Sequence, residues 1–216
     1  MSEDPTPVAA EHFRYLAERT TPEDAFLRDL KEAARAAGIP PIWIAPEQAS
    51  LMQILLRLVR ARTVIEVGTL AGYSAIAMAR ALPSEGRVHT IEIEPKHADF
   101  AERWIAKSDV AGRVRVHRGP GKDVLPGFAT ASADAAFLDA DKTGYRLYLE
   151  ECVRILRPGG LLMVDNAFAF GRLFEPGADD PDVAAIRAFN DHLARHKDFE
   201  PIIVPLGDGL WVAVRR

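Results

Sequence analysis

From Arg62 onward the sequence alternates: a short apolar run, the first of them β-branched, stops at a glycine or an acid and gives way to an amphipathic stretch. The runs are Thr63-Val64-Ile65-Glu66-Val67-Gly68, Arg87 to Ile93, Val114 to Arg118, Ala133 to Asp139 and Leu161 to Val164. Between them, helical spacing is predicted over Gly72 to Leu82, Pro95 to Lys107 and Gly144 to Leu156, the last ended by Pro158-Gly159-Gly160, and then over Asp182 to His196. Strands separated by helices cannot pair as hairpins, so the sheet they build is mainly parallel, with helices on both faces. Phe199 to Pro205 and Leu210 to Val214, joined at Gly207-Asp208-Gly209, close the chain as a hairpin and supply one antiparallel strand. The expected fold is a three-layer α/β sandwich around a seven-stranded sheet.

The residues before Arg62 follow a different pattern and read as an N-terminal helical cap over 8–61. Val8 to Arg19 is amphipathic; Thr21-Pro22-Glu23-Asp24 offers a cap, a proline and acids for a second helix that Gly38 and Pro40-Pro41 stop. A third helix is predicted from Glu47 to Arg60, with Leu51, Ile54, Leu55 and Leu58 on one stripe. At 216 residues, cap and core (62–216) form one domain, and residues 1–7 are expected to be a disordered tail.

Composition narrows the function. With 48% hydrophobic and 27% charged residues the chain can bury a core, which excludes a disordered protein. A net charge of -4 and a pI near 5.9 provide no general attraction to nucleic acid. The lone Cys152 excludes a disulfide framework and reads as a small core hydrophobe. No run approaches the ~18 apolar residues of a membrane span, and the acidic start lacks a signal-type apolar segment, so a cytoplasmic protein is expected.

In an open α/β sheet, ligands bind beyond the carboxyl ends of the strands. The first strand ends in Glu66-Val67-Gly68-Thr69-Leu70-Ala71-Gly72-Tyr73-Ser74, a G-x-x-x-G turn that lets backbone approach a ligand. Glu92, after the second strand, stands where a carboxylate takes the hydroxyls of a ribose. Together they indicate an adenosine-type cofactor. The missing third glycine, and Glu66 as a partner for an ammonium or sulfonium, favour S-adenosylmethionine over NAD. The fourth and fifth strands run directly into Asp139-Ala140-Asp141-Lys142 and Asp165-Asn166. If the two strands are neighbours, Asp139, Asp165 and Asn166 converge as oxygen ligands for a hard divalent cation, Mg²⁺ before zinc. His192 and His196 have the spacing of a two-histidine metal site but lack the glutamate of H-E-x-x-H, and read as an exposed helix face. Trp43, Phe168, Phe170 and Phe174 either wall an aromatic substrate's pocket or pack on the core or a dimer partner.

Val64 to Ser74, Glu92, Gly119-Pro120-Gly121, Leu138 to Lys142 with Tyr145, Pro158-Gly159-Gly160, Asp165-Asn166 and Leu206 to Leu210 together resemble the cation-dependent O-methyltransferases, which include the caffeoyl-CoA and catechol enzymes and many small bacterial members. The similarity runs in order over residues 40–216. It implies a Rossmann-like class I methyltransferase fold whose cap mediates homodimerisation. It also implies S-adenosylmethionine held by Glu66, Gly68, Thr69, Ser74, Glu92, Gly121 and Asp139, and a divalent cation on Asp139, Asp165 and Asn166. Lys142 then stands where the catechol enzymes place their general base, with Asp139 as its catalytic neighbour, and Asp141, Phe170 and Trp43 are the candidate substrate contacts. Phe170 departs from the polar residue usual in the plant enzymes. The expected activity is O-methylation of a small catechol-like vicinal diol. A hydroxylated tRNA base is the alternative substrate, disfavoured by the acidic charge, and an NAD-dependent oxidoreductase is disfavoured by the glycine spacing. A module that only binds would not be expected to retain Asp139, Lys142, Asp165 and Asn166 together.

Overall fold

The computed structural model describes residues 8–175 and 180–216; the tail expected over 1–7 lies outside them. The chain runs α1 (Ala10–Ala17), α2 (Ala25–Ala36), α3 (Pro46–Leu58), β1 (Thr63–Val67), α4 (Tyr73–Ala81), β2 (Arg87–Glu92), α5 (Pro95–Lys107), β3 (Val114–Arg118), α6 (Gly121–Val124), β4 (Ala133–Leu138), α7 (Tyr145–Ile155), β5 (Leu156–Val164), α8 (Pro181–Ala194), β6 (Phe199–Val204) and β7 (Leu210–Arg215). The seven strands lie in the order β3-β2-β1-β4-β5-β7-β6. Every pairing is parallel except those of β7, which runs antiparallel to both β5 and β6.

The period of two along each strand produces the layers. Val64, Ala135, Phe137, Leu161 and Met163 face one core with Met52, Leu56, Ile76, Met78 and Phe100 from α3, α4 and α5. Their neighbours Ile65, Val67, Ala136, Leu138, Leu162 and Val164 face a second core with Tyr145, Leu149, Phe189 and Leu193 from α7 and α8. β1 has β2 on one side and β4 on the other, so strand order reverses between β1 and β4, and the crevice that binds ligands in such sheets opens above their carboxyl ends.

Three local expectations change. The second helix starts at Asp24, whose carboxylate accepts the Leu27 N–H at 2.9 Å, and not at Thr21; an ionised cap is a stronger acceptor than a hydroxyl, and Pro22 falls outside the helix. Pro158-Gly159-Gly160 does not separate α7 from its strand. α7 gives way directly to β5, and these residues form a bulge, since Ala133 pairs Leu156 while Ala135 pairs Leu161. On α3 the buried face is Gln48, Ala49, Met52 and Leu56 and not the expected stripe, of which Leu51 and Leu55 are partly covered while Ile54 and Leu58 are 52% and 73% exposed. Among the described residues no helix is long and apolar enough to cross a membrane.

Candidate active site at the carboxyl ends of the strands

The turn after β1 is pinned from three sides. Gly68 has φ +104°, and a Cβ there would stand 2.0 Å from the Asp139 carbonyl oxygen, so only glycine lets β1 and β4 end side by side. Thr69 is buried with its hydroxyl 2.5 Å from that of Thr90. Glu92 accepts the Leu70 N–H at 2.8 Å through one oxygen and the Glu94 N–H at 2.9 Å through the other. The residue expected to face a ribose therefore also fixes the glycine turn.

Glu66 alternates onto the α4 face of β1 and is fully buried. Ser74, at the start of α4, donates its hydroxyl to Glu66 Oε1, and Oε2 has no partner in the protein. Burial pushes the carboxyl up to about 8 despite the hydroxyls of Ser74 and Thr90. A buried acid with one unpartnered oxygen beside a ligand crevice suits a cationic group on a ligand, such as an ammonium.

The second half of the site lies where β4 and β5 end together. Leu138 pairs with Val164, and the Asp165 N–H donates to the Leu138 carbonyl at 3.0 Å, which brings Asp139 and Asp165 to adjacent strand ends. Lys142 is buried one helical turn beyond Asp139. Its Nζ donates to Asp139 Oδ1 at 3.1 Å and to the Tyr145 hydroxyl at 2.7 Å. Asp165 is pushed up to about 7, first by burial and then by the charge of Asp139, against the opposing hydrogen bond from Gln48. Two carboxylates this costly to ionise together form a donor set that a dication would relieve, and the oxygens of Asp139, Asp165 and Asn166 suit a hard one.

Two supporting residues have no role assigned from the sequence. Gln48, wholly buried on α3, donates from Nε2 to Asp165 Oδ1 at 2.7 Å. Asp208, which the sequence shows within the closing turn and the Leu206 to Leu210 motif, accepts Asn166 Nδ2 at 3.1 Å, the Phe170 N–H at 2.8 Å and the Gly171 N–H at 3.1 Å. With Nδ2 engaged there, the Asn166 side-chain oxygen Oδ1 is left for a cation. The loop so held contains three non-glycine residues in the left-handed region, Asn166, Ala169 and Phe170, a concentration of strain typical of functional loops.

The other candidates fall into place around this centre or away from it. Asp141 accepts the Tyr148 hydroxyl at 2.6 Å, and Gly121 is packed so tightly that a Cβ would meet Tyr148 at 2.7 Å. Phe170 is half-exposed, with its ring centroid 5.8 Å from Lys142 Nζ. Phe168 packs under Gly209, whereas Phe174 is 90% exposed. Trp43 has the Arg35 guanidinium 4.9 Å and the Lys31 ammonium 5.9 Å from its ring, so the ring faces two cations of α2. Cys152 is buried and pushed up to about 12 by that burial, as a core hydrophobe should be. His192 and His196 are not an exposed face: the His196 side chain is only 8% exposed, because α7 packs beside it.

A family model described as O-methyltransferase matches residues 17–216. The chain belongs to the O-methyltransferase family. A catechol O-methyltransferase of Niastella koreensis is 35% identical over 208 residues, 93% of this chain and 94% of that one. Among solved structures, an O-methyltransferase from Bacillus cereus in complex with SAH superposes with a TM-score of 0.86 at 31% identity, over 95% of this chain and 97% of the other. The O-methyltransferase TomG from Streptomyces achromogenes, involved in tomaymycin synthesis and solved with SAM, gives 0.82 at 32% identity, over 95% and 96%. As an O-methyltransferase, this chain needs a place for a methyl donor and one for a hydroxyl, and the two halves of the crevice differ in the matching sense: one buried acid beside a glycine turn, one acid pair beside a lysine.

Proposed function

We propose that this O-methyltransferase transfers a methyl group from S-adenosylmethionine to one hydroxyl of a small aromatic vicinal diol, with a divalent cation of the Mg²⁺ type at Asp139, Asp165 and Asn166. The observation that carries the reading is the pair of part-buried Asp139 and buried Asp165 at neighbouring strand ends, with the buried Lys142 placing its Nζ 3.1 Å from Asp139. A divalent ion held there would supply the charge that favours the oxyanion of a ligated hydroxyl. Lys142 is the residue positioned to receive the hydroxyl proton at Nζ, with Asp139 and the Tyr145 hydroxyl steadying the ammonium that results. Glu66 would accept the donor's ammonium through its unpartnered oxygen, and Glu92 the ribose hydroxyls beside the turn it pins. Thr69, Ser74 and Gly121 shape the same side of the crevice. Phe170, half-exposed beside Lys142, would lie against the substrate ring, and Asp141, fixed by Tyr148, at its edge. A sulfonium methyl is already activated, so alignment of donor and oxygen is the protein's main contribution.

The same reading includes a homodimer formed through the cap, since Tyr15, Leu16, Ile42, Ile54 and Leu58 are all exposed there. The test is transfer from labelled S-adenosylmethionine to a panel of catechols with Mg²⁺, with EDTA, and with Asp165→Ala. Turnover that requires both the cation and Asp165 supports the proposal. Transfer to a hydroxylated tRNA and to no catechol would replace the substrate class, and failure to bind S-adenosylmethionine would overturn the reading.

A further inference from the structure

Away from the crevice, on the outer side of α7 and α8, one side chain of α7 meets two from the end of α8, some forty residues further along the chain. Glu150 Oε1 lies 3.5 Å from His192 Nε2 and 3.9 Å from His196 Nε2. Among the described residues this is the one group of three histidine, cysteine or acidic side chains whose ligand atoms all lie within 4.8 Å of one another. We propose that Glu150, His192 and His196 form a second cation site, for a borderline transition ion of the zinc class, that ties α7 to α8.

Three observations support it. His192 Nε2 is closed off from solvent, has no hydrogen-bond partner and faces the other two groups. A polar atom in that state is costly unless something occupies the space beside it. Around a tetrahedral ion with ligands at about 2.0–2.1 Å the donor atoms stand about 3.3 Å apart, so a shift of about 1 Å or less per side chain closes this set, within the freedom of an exposed glutamate. His196 also has an outer partner: its Nδ1 lies 4.0 Å from the Asp198 carboxylate and accepts the Asp198 N–H at 3.3 Å. With Nε2 on a metal, Nδ1 carries the proton and turns from that N–H to the carboxylate, the usual support of a metal-bound imidazole. The donor set is two nitrogens and one carboxylate, so it selects a different class of ion from the all-oxygen set of the crevice.

The fourth position would open into a surface hollow lined by Ala188, Asp191, His192, Arg195, His196 and Lys197. Arg195 is drawn aside toward Asp191 at 3.9 Å, and a solvent or anionic ligand would fit beside Lys197. An ion here would fasten the helix that carries Tyr145 and Tyr148, the partners of Lys142 and Asp141, to the helix that packs Phe189 on Tyr145 at a centroid distance of 5.2 Å.

Full-length protein stripped with EDTA is held in excess Mg²⁺ and titrated with Zn²⁺ by calorimetry, and in parallel with Co²⁺ by visible absorption. The expected result is one equivalent of Zn²⁺, an intense tetrahedral Co²⁺ band and a raised melting temperature. Affinity should fall at least tenfold in Glu150→Gln and His192→Gln and be unchanged in Asp165→Asn. Glu150 is exposed, so its variant keeps the test valid if a histidine variant folds poorly. No Zn²⁺ uptake in the presence of Mg²⁺, or uptake lost in Asp165→Asn and kept in Glu150→Gln, would overturn the proposal.

Discussion

Gln48 and Glu66 show how single buried polar side chains govern the site. The Gln48 amide holds Asp165 through a 2.7 Å hydrogen bond from a different element, α3. Gln48→Leu should therefore raise the cation concentration needed for half-maximal methyl transfer about 10- to 100-fold, the usual cost of losing an outer partner of a ligand, while catechol KM at saturating cation changes little. Glu66 gives a pH signature. Its native pKa of about 8 lies above the ordinary 4.5, so between these values the folded chain holds a proton that the unfolded chain releases. This stabilisation is complete below about pH 4.5 and is lost as pH rises through about 8. Urea unfolding of the metal-free protein at pH 6 and pH 9 should show the parent losing a few kcal/mol more than Glu66→Gln, which is neutral in both states. Equal losses would show that Glu66 is ionised in the native protein.

At the level of elements, the turn after β1 is the least replaceable piece. Gly68→Ala would combine a left-handed φ of +104° with a Cβ 2.0 Å from the Asp139 carbonyl oxygen. The strands would have to separate, and a loss of more than about 2 kcal/mol in chemical denaturation is expected, together with loss of methyl transfer. Where local chemistry and fold agree, the sequence is legible: a β-branched run ending in glycine marks β1, an apolar run ending in an acid marks β4, and the acids at strand ends mark Asp139 and Asp165. Legibility fails where a residue's role depends on a distant partner. Gln48 precedes Asp165 by 117 positions and looks like any polar residue on a helix. Asp208 reads as a hairpin turn because its work is done on a loop some forty residues earlier. Pro158-Gly159-Gly160 reads as a helix stop, but the helix has already ended at Ile155 and the three residues lie inside β5, because a bulge in a strand and the end of a helix use the same residues. On α3 the leucine stripe has helical spacing whichever side is covered, so periodicity located the helix without saying that Ile54 and Leu58 face outward.

For the whole molecule, the distribution of exposed apolar side chains is uneven. α1 buries none of its residues although it is amphipathic, and with Ile42, Ile54 and Leu58 it places apolar surface on the cap. Sedimentation equilibrium should give about twice the 23.7 kDa chain mass, and the double substitution Ile54→Glu with Leu58→Glu should halve it without unfolding the core. A monomer at all concentrations in the parent protein would show that this surface has another use. The sheet integrates the molecule in a further way. β7 lies inside the sheet, between β5 and β6, and the turn that leads into it carries Asp208. During synthesis, therefore, the carboxylates of β4 and β5 emerge long before the segment that clamps their loop. On the proposed function, a nascent chain would have the acids before it has Asp208 to hold the Asn166 loop, so methyl transfer is expected only once β7 has been added.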